Sequence, residues 1–261
     1  MTTPMSPTLC TLPFVVRYSS PAMWATGGDI TIHVQFSSTG LECPQILSQT
    51  FELFVRLAQT GALAGRSIEP WESGLTLESI QTKDGSMRLK LLGCRVDAGS
   101  LYVLLNLLLP HHEILGISSI DVIGHGALPT EQISVDLDDE SIYPGIYERL
   151  PFEFIDEEPE SGAYTFQARC SARVSEQDIE PLAIALNTWV EVVLAGGYEM
   201  SSIAPIDSYV EPSEDGLIAF GSMLEWTIFK LRADPESTNG IVNIFAVFHN
   251  RMLPLVTLEI I

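Results

Sequence analysis

Apolar and polar residues alternate with period two in Ile30-Thr31-Ile32-His33-Val34-Gln35-Phe36, and again over Tyr164–Cys170. Such alternation predicts strands with one buried face. A helical period follows each run. Ile46, Thr50, Leu53, Phe54 and Leu57 fall on one stripe, and Leu182, Leu186, Trp189, Val190 and Val193 repeat it 136 residues later. These stripes predict two amphipathic helices. Both stop in small residues, Thr60-Gly61-Ala62 and Ala195-Gly196-Gly197, as glycine past the last turn allows. Strand-like runs come next at Leu75–Gln81 and, more vaguely, Ile206–Val210, then at Arg88–Val96 and Leu224–Leu231. Turn clusters at Asp97–Ser100 and Asp234–Gly240 introduce Leu101–Pro110 and Ile241–His249, both read as helices. Ile241–Phe248 is rich in β-branched and aromatic residues, so a strand is the competing assignment there. Short alternating runs, Ile117–Val122 and Leu255–Ile260, close the pattern.

The pattern occurs twice, and two tripeptides mark the register. Leu12-Pro13-Phe14 returns 138 residues later as Leu150-Pro151-Phe152, and Gly85-Ser86-Met87 returns 136 residues later as Gly221-Ser222-Met223. The implied fold is α+β, a tandem duplication of a βαββαβ unit of ferredoxin-like order. It predicts two antiparallel sheets, helices packed on one face of each, and an internal pseudo-dimer. Phe14–Tyr18 and Phe152–Ile155 are expected to add an edge strand to each unit. The first repeat is assigned to residues 1–138 and the second to 139–261. A solvated acidic connection is expected at about 136–160.

Charge narrows the partners. The 261 residues hold 34 acids and 13 bases, a net charge of −21. Residues 1–138 carry 7 bases and 13 acids; the second repeat carries 6 and 21, so it holds −15 of the total. Phosphate backbones and anionic lipids need clustered cations, and no basic cluster is present, which excludes nucleic acid and membrane surfaces as partners. The longest apolar run, Leu101–Pro110, is interrupted by Asn106 and falls far short of the ~20 residues that span a bilayer. Met1–Cys10 lacks the features of a secretory signal. Cys10, Cys43, Cys94 and Cys170 are dispersed and read as reduced thiols. A cytoplasmic, bacterial protein is expected.

Catalytic signatures are missing: there is no phosphate loop, GxGxxG, GxSxG or HExxH. Asp136, Asp138 and Glu140 alternate like calcium-loop ligands, but Ser141 stands where the sharp turn needs glycine. No metal, cofactor or catalytic residue is assigned. His112 aligns with His249, each at the end of a second helix, where a cation suits the helix dipole. His33 sits on a strand and His125 lies between Gly124 and Gly126.

The leading expectation is a protein-binding or inhibitory, immunity-like module that engages a basic partner. Its steering residues would be Asp156, Glu157, Glu158, Glu160, Glu211, Glu214 and Asp215, with Trp71 as a loop anchor. The alternative is a small-molecule-binding protein or enzyme with a cleft between the repeats, lined by His33, His112, His125 and His249.

Overall fold

The computed structural model describes residues 12–18, 28–38, 43–64, 75–83, 85–94, 96, 99–124, 131–132, 143–157, 163–199 and 208–261. Within them the chain is mixed α and β, with two sheets. In the first sheet β2 (Gly28–Phe36) is central, with β4 (Ser86–Cys94) and β5 (Ile117–Gly124) antiparallel on its two sides. β3 (Thr76–Lys83) pairs antiparallel with β4, and β1 (Val15–Tyr18) pairs parallel with β5. The two-residue β6 (Glu131–Gln132) completes the order β3-β4-β2-β5-β1-β6.

In the second sheet β8 (Tyr164–Cys170) is central, with β11 (Met223–Arg232) and β12 (Leu255–Ile260) antiparallel to it. β10 (Ile218–Phe220) and β9 (Tyr209–Pro212) pair with the beginning and end of β11. β7 (Glu153–Asp156) pairs parallel with β12. The sheets are therefore mixed, not wholly antiparallel as the element order suggests. The reason is geometric: β1 runs opposite to β2 but docks beyond β5, which also opposes β2, so β1 and β5 must be parallel. The same holds for β7 and β12.

Among the described residues four longer helices cover the inner faces: α1 (Cys43–Gln59), α2 (Ser100–Leu108), α4 (Glu176–Leu194) and α5 (Ser237–Arg251). A single turn, α3 (His112–Leu115), follows α2 and stops at left-handed Gly116. α1 buries Leu47, Phe51, Phe54, Leu57 and Ala58, while Glu52 and Arg56 on its other side stay exposed. α4 starts at Ser175, whose backbone N–H and hydroxyl both donate to the Asp178 carboxylate, at 2.9 and 2.6 Å. Those bonds hold the Asp178 carboxyl below its usual range.

α2 and α5 behave differently. Neither keeps a polar face along its length: Val103 through Leu108 and Gly240 through Phe248 are buried on every side. Each helix has a sheet on one flank and the other half of the chain on the other. This explains why Ile241–Phe248 is helical despite its β-rich composition. Burial of a large apolar side chain is worth ~1.5–3 kcal/mol, whereas intrinsic propensity differs by less than ~1 kcal/mol per residue.

The connection between the halves is also buried in part, which corrects the expectation of a solvated segment. Tyr143 and Tyr147 are buried. The Tyr143 N–H donates to Glu236, the Tyr147 N–H to the Asn243 side chain, and the Tyr147 hydroxyl to the Gly61 carbonyl. The acidic residues that suggested solvation flank this short aromatic stretch.

At the start of α5 the buried Asp234 accepts the Glu236 N–H at 3.0 Å. Burial pushes its carboxyl up from 3.8 to about 6, against the opposing effect of that accepted bond. The folded state thus binds more protons than the unfolded state between those values. Stability is lost as pH rises through this window, and the cost is complete at pH 7. Asp234→Asn keeps the acceptor and removes the charge. After allowance for solvent screening, it is expected to gain about 1 kcal/mol at pH 7, roughly 2 °C in melting temperature. Thermal melts should show that gain vanishing by about pH 3.5.

Candidate functional site

Two surface features stand out, an open sheet face and a groove between helices. In β11, Leu224, Trp226 and Ile228 point inward and are buried. The intervening residues therefore face away from the helices. Phe229 belongs to that outward set and is 52% exposed, and the bulge between Ile228 and Lys230 turns Lys230 outward beside it. Phe220, opposite Met223 in register, is also 52% exposed, and Tyr209 beside Val210 is 42% exposed. Phe220 and Phe229 mark the two ends of β11, roughly 20 Å apart at ~3.4 Å per residue.

Acids lie between these aromatics. Glu214 and Asp215 are exposed on the turn joining β9 to β10. Glu211 is bonded by Lys230 at 2.7 Å, which holds its carboxyl below the usual range. Glu225 accepts a bond from Gln167 at 3.0 Å. Asp156 and Glu157 are exposed too, but they sit at the β7 edge, four strands away. At ~4.8 Å per strand that separates them from β10 by roughly 19 Å. The structure thus brings Glu211, Glu214 and Asp215 together and leaves Asp156 and Glu157 on the far edge. Glu158, Glu160, Trp71 and His125 lie outside the described residues.

The described histidines do not converge. His33 faces outward from β2, between Arg88 and Asp121 in register. Arg17 holds that Asp121 through two bonds, at 2.6 and 3.1 Å. His112 lies 6.3 Å from the Phe14 ring and His249 lies 6.0 Å from the Phe152 ring, both tilted by 45°. Burial lowers the His249 pKa, and its Nδ1 accepts the Leu255 N–H at 2.9 Å. That accepted bond needs the ring lone pair, so His249 works as a neutral strut and not as a helix-end cation.

The groove lies on the helical side, where α1 meets α4 and α5. Its volume is about 390 Å³. Leu182, Ile244, Val247 and Phe248 line it and are themselves buried, and Arg56 and Arg251 stand at it from opposite halves of the chain. Helices of both halves pack against one another here, and the groove opens where α1 of the first half meets α4 and α5 of the second. None of the described histidines lines the groove. Among the described residues no group of His, Cys, Asp or Glu is arranged to hold a metal ion. Cys43 and Cys170 are buried free thiols, and burial together with Asp178 pushes Cys170 up to about 11. No helix among the described residues is long and apolar enough to cross a membrane.

Neither a family model nor a curated protein matches the chain. Solved structures align with it weakly. The ferredoxin protease FusC, solved with Arabidopsis ferredoxin, is 8% identical over 91% of this chain with a TM-score of 0.19, and the chain spans 35% of its length. A DyP-type peroxidase from Cellulomonas bogoriensis is 8% identical over 89% of this chain and 88% of its own, with a TM-score of 0.20. A conserved protein from Enterococcus faecalis V583 is 9% identical over 90% and 76%, with a TM-score of 0.16. Likeness at this level says nothing about what the chain does.

Proposed function

We propose that the chain is a tandem duplication of a ferredoxin-like unit and acts as a protein-binding, inhibitory module. Paired details support the duplication. The two sheets share the run β4-β2-β5-β1 and β11-β8-β12-β7, each with its last pair parallel, as a repeated unit with an added strand would give. Gly61 and Gly196 end the first helices at φ 87° and 86°, and Gly85 and Gly221 turn the hairpins at 72° and 68°. The Phe14–His112 and Phe152–His249 contacts have the same tilt.

A second set of details differs between the halves, and there the function is assigned. The observation that carries it is the exposed aromatic trio Tyr209, Phe220 and Phe229 around the acidic Glu214–Asp215 turn. Among the first-sheet residues whose side chains are described, the exposed large apolar one is Val15, and no exposed aromatic stands beside it. Exposed aromatics supply contact energy, and acids beside them favour a basic partner and speed its encounter. A cytosolic, immunity-like role against a basic protein fits this face.

The test is capture of the partner from native lysate, followed by titration of the purified pair. Phe220→Ser and Phe229→Ser should each weaken binding by about 10- to 30-fold. Glu214→Lys with Asp215→Lys should slow association about tenfold at low salt and much less at high salt. Val15→Ser should change nothing. A partner whose affinity ignores all the second-sheet variants would sink the proposal.

A further inference from the structure

We propose that the groove between α1, α4 and α5 is a second binding site, for a small amphiphilic carboxylate such as a medium-chain fatty acid. It is separate from the sheet face and does not depend on it. The volume of about 390 Å³ is at the small end of the range for small-molecule sites. The buried Leu182, Ile244, Val247 and Phe248 present an apolar surface suited to a hydrocarbon body. The charge is what selects the head group. In a chain with 34 acids and 13 bases, the charged residues lining this groove are Arg56 and Arg251, with no acid among the lining residues. Arg56 gives one bond to Glu191 at 2.6 Å. A guanidinium carries five N–H donors in a planar fork, so Arg56 retains donors for a carboxylate. The remaining polar side chains, Gln59, Thr60 and Thr188, offer no competing anion. Arg251 is engaged as well, so what the two guanidiniums offer a carboxylate is their further N–H donors, which a cationic ligand could not use.

Calorimetric titration with decanoate and with decan-1-ol tests this on the full chain. The two probes share an apolar body and differ in charge. Decanoate is expected to bind one-to-one, at least tenfold more tightly than decan-1-ol. The double variant Arg56→Gln, Arg251→Gln alters two exposed side chains and should erase that preference while leaving decan-1-ol binding intact. Ala185→Trp, which fills the groove, should abolish binding of both probes, with circular dichroism checking that the fold survives. Three results would overturn the proposal: no saturable decanoate binding below millimolar concentration, equal affinity for the alcohol, or a preference that survives loss of both arginines. If Ala185→Trp unfolds the chain, the arginine pair alone decides.

Discussion

Replacing Asn243 by leucine is expected to destabilise the protein by about 3–5 kcal/mol, the largest loss for any polar side chain in the helices. Asn243 is fully buried on α5 and uses both ends of its amide. Its Nδ2 donates to the Ala62 carbonyl at 3.3 Å and the Gly145 carbonyl at 2.9 Å, and its Oδ1 accepts the Tyr147 N–H at 3.2 Å. One side chain thus ties the end of α1 and the inter-half connection to the core of the second half. Leucine has a similar volume but no polar atoms, so all three backbone groups would be left buried. Each unmet group costs about 1–3 kcal/mol. Asn106 occupies the matching place on α2. It donates to the Tyr143 hydroxyl and to the Gly197 carbonyl at 3.1 Å, but its buried Oδ1 has no partner among the described residues. Asn106→Leu therefore removes one orphan while creating others, and about 1–2 kcal/mol is expected. Urea unfolding of the two variants should give that order. Equal losses, or a larger loss for Asn106→Leu, would refute the assigned roles. Limited proteolysis adds a second readout: Asn243→Leu should expose the chain around Tyr147 to cleavage, and Asn106→Leu much less.

These two asparagines show how far local pattern reaches. Their equivalence is visible in the sequence, because each interrupts an apolar run at the same register. What each one bonds is not visible, because Ala62, Gly145 and Gly197 are distant in the chain. The strands and helices were legible for a related reason: period two and period 3.6 are local properties of a chain with one buried face. The parallel pairing of β1 and β7 was not, because it depends on which strand fills the position between. The aromatic face left a faint trace. Met223 and Phe229 break the alternation of β11 by placing apolar side chains at outward positions, and that break was the available signal. The groove left none, since Arg56 and Arg251 sit near the ends of two helices far apart in sequence. The histidines misled for a clear reason. Matched positions suggested a shared site, but His112 and His249 each do a separate local job, packing on Phe14 and on Phe152.

A matched pair with unmatched surroundings also yields a sharp energetic test. Gly61→Ala is expected to cost about 3–5 kcal/mol, and Gly196→Ala about 1–2 kcal/mol. The two glycines have almost the same backbone, at φ 87° and 86°, so the left-handed strain of an added Cβ is common to both. That strain alone is about 1–2 kcal/mol. The difference lies in what the new Cβ meets. At Gly196 it comes within 2.8 Å of the Glu199 carboxylate, the far end of a side chain that can swing aside. At Gly61 it lands on the Val247 Cγ2, well inside contact distance, and that stiff β-branched side chain on a buried helix has to shift. Overpacking of that kind costs about 1–3 kcal/mol more. A double-mutant cycle separates the two contributions. Val247→Ala should remove the clash, so that Gly61→Ala in that background costs no more than Gly196→Ala does in the parent. If the cost stays near its full value, the close approach of α5 to the end of α1 is wrong. With it would go the packing that brings Arg251 and Arg56 to the same groove.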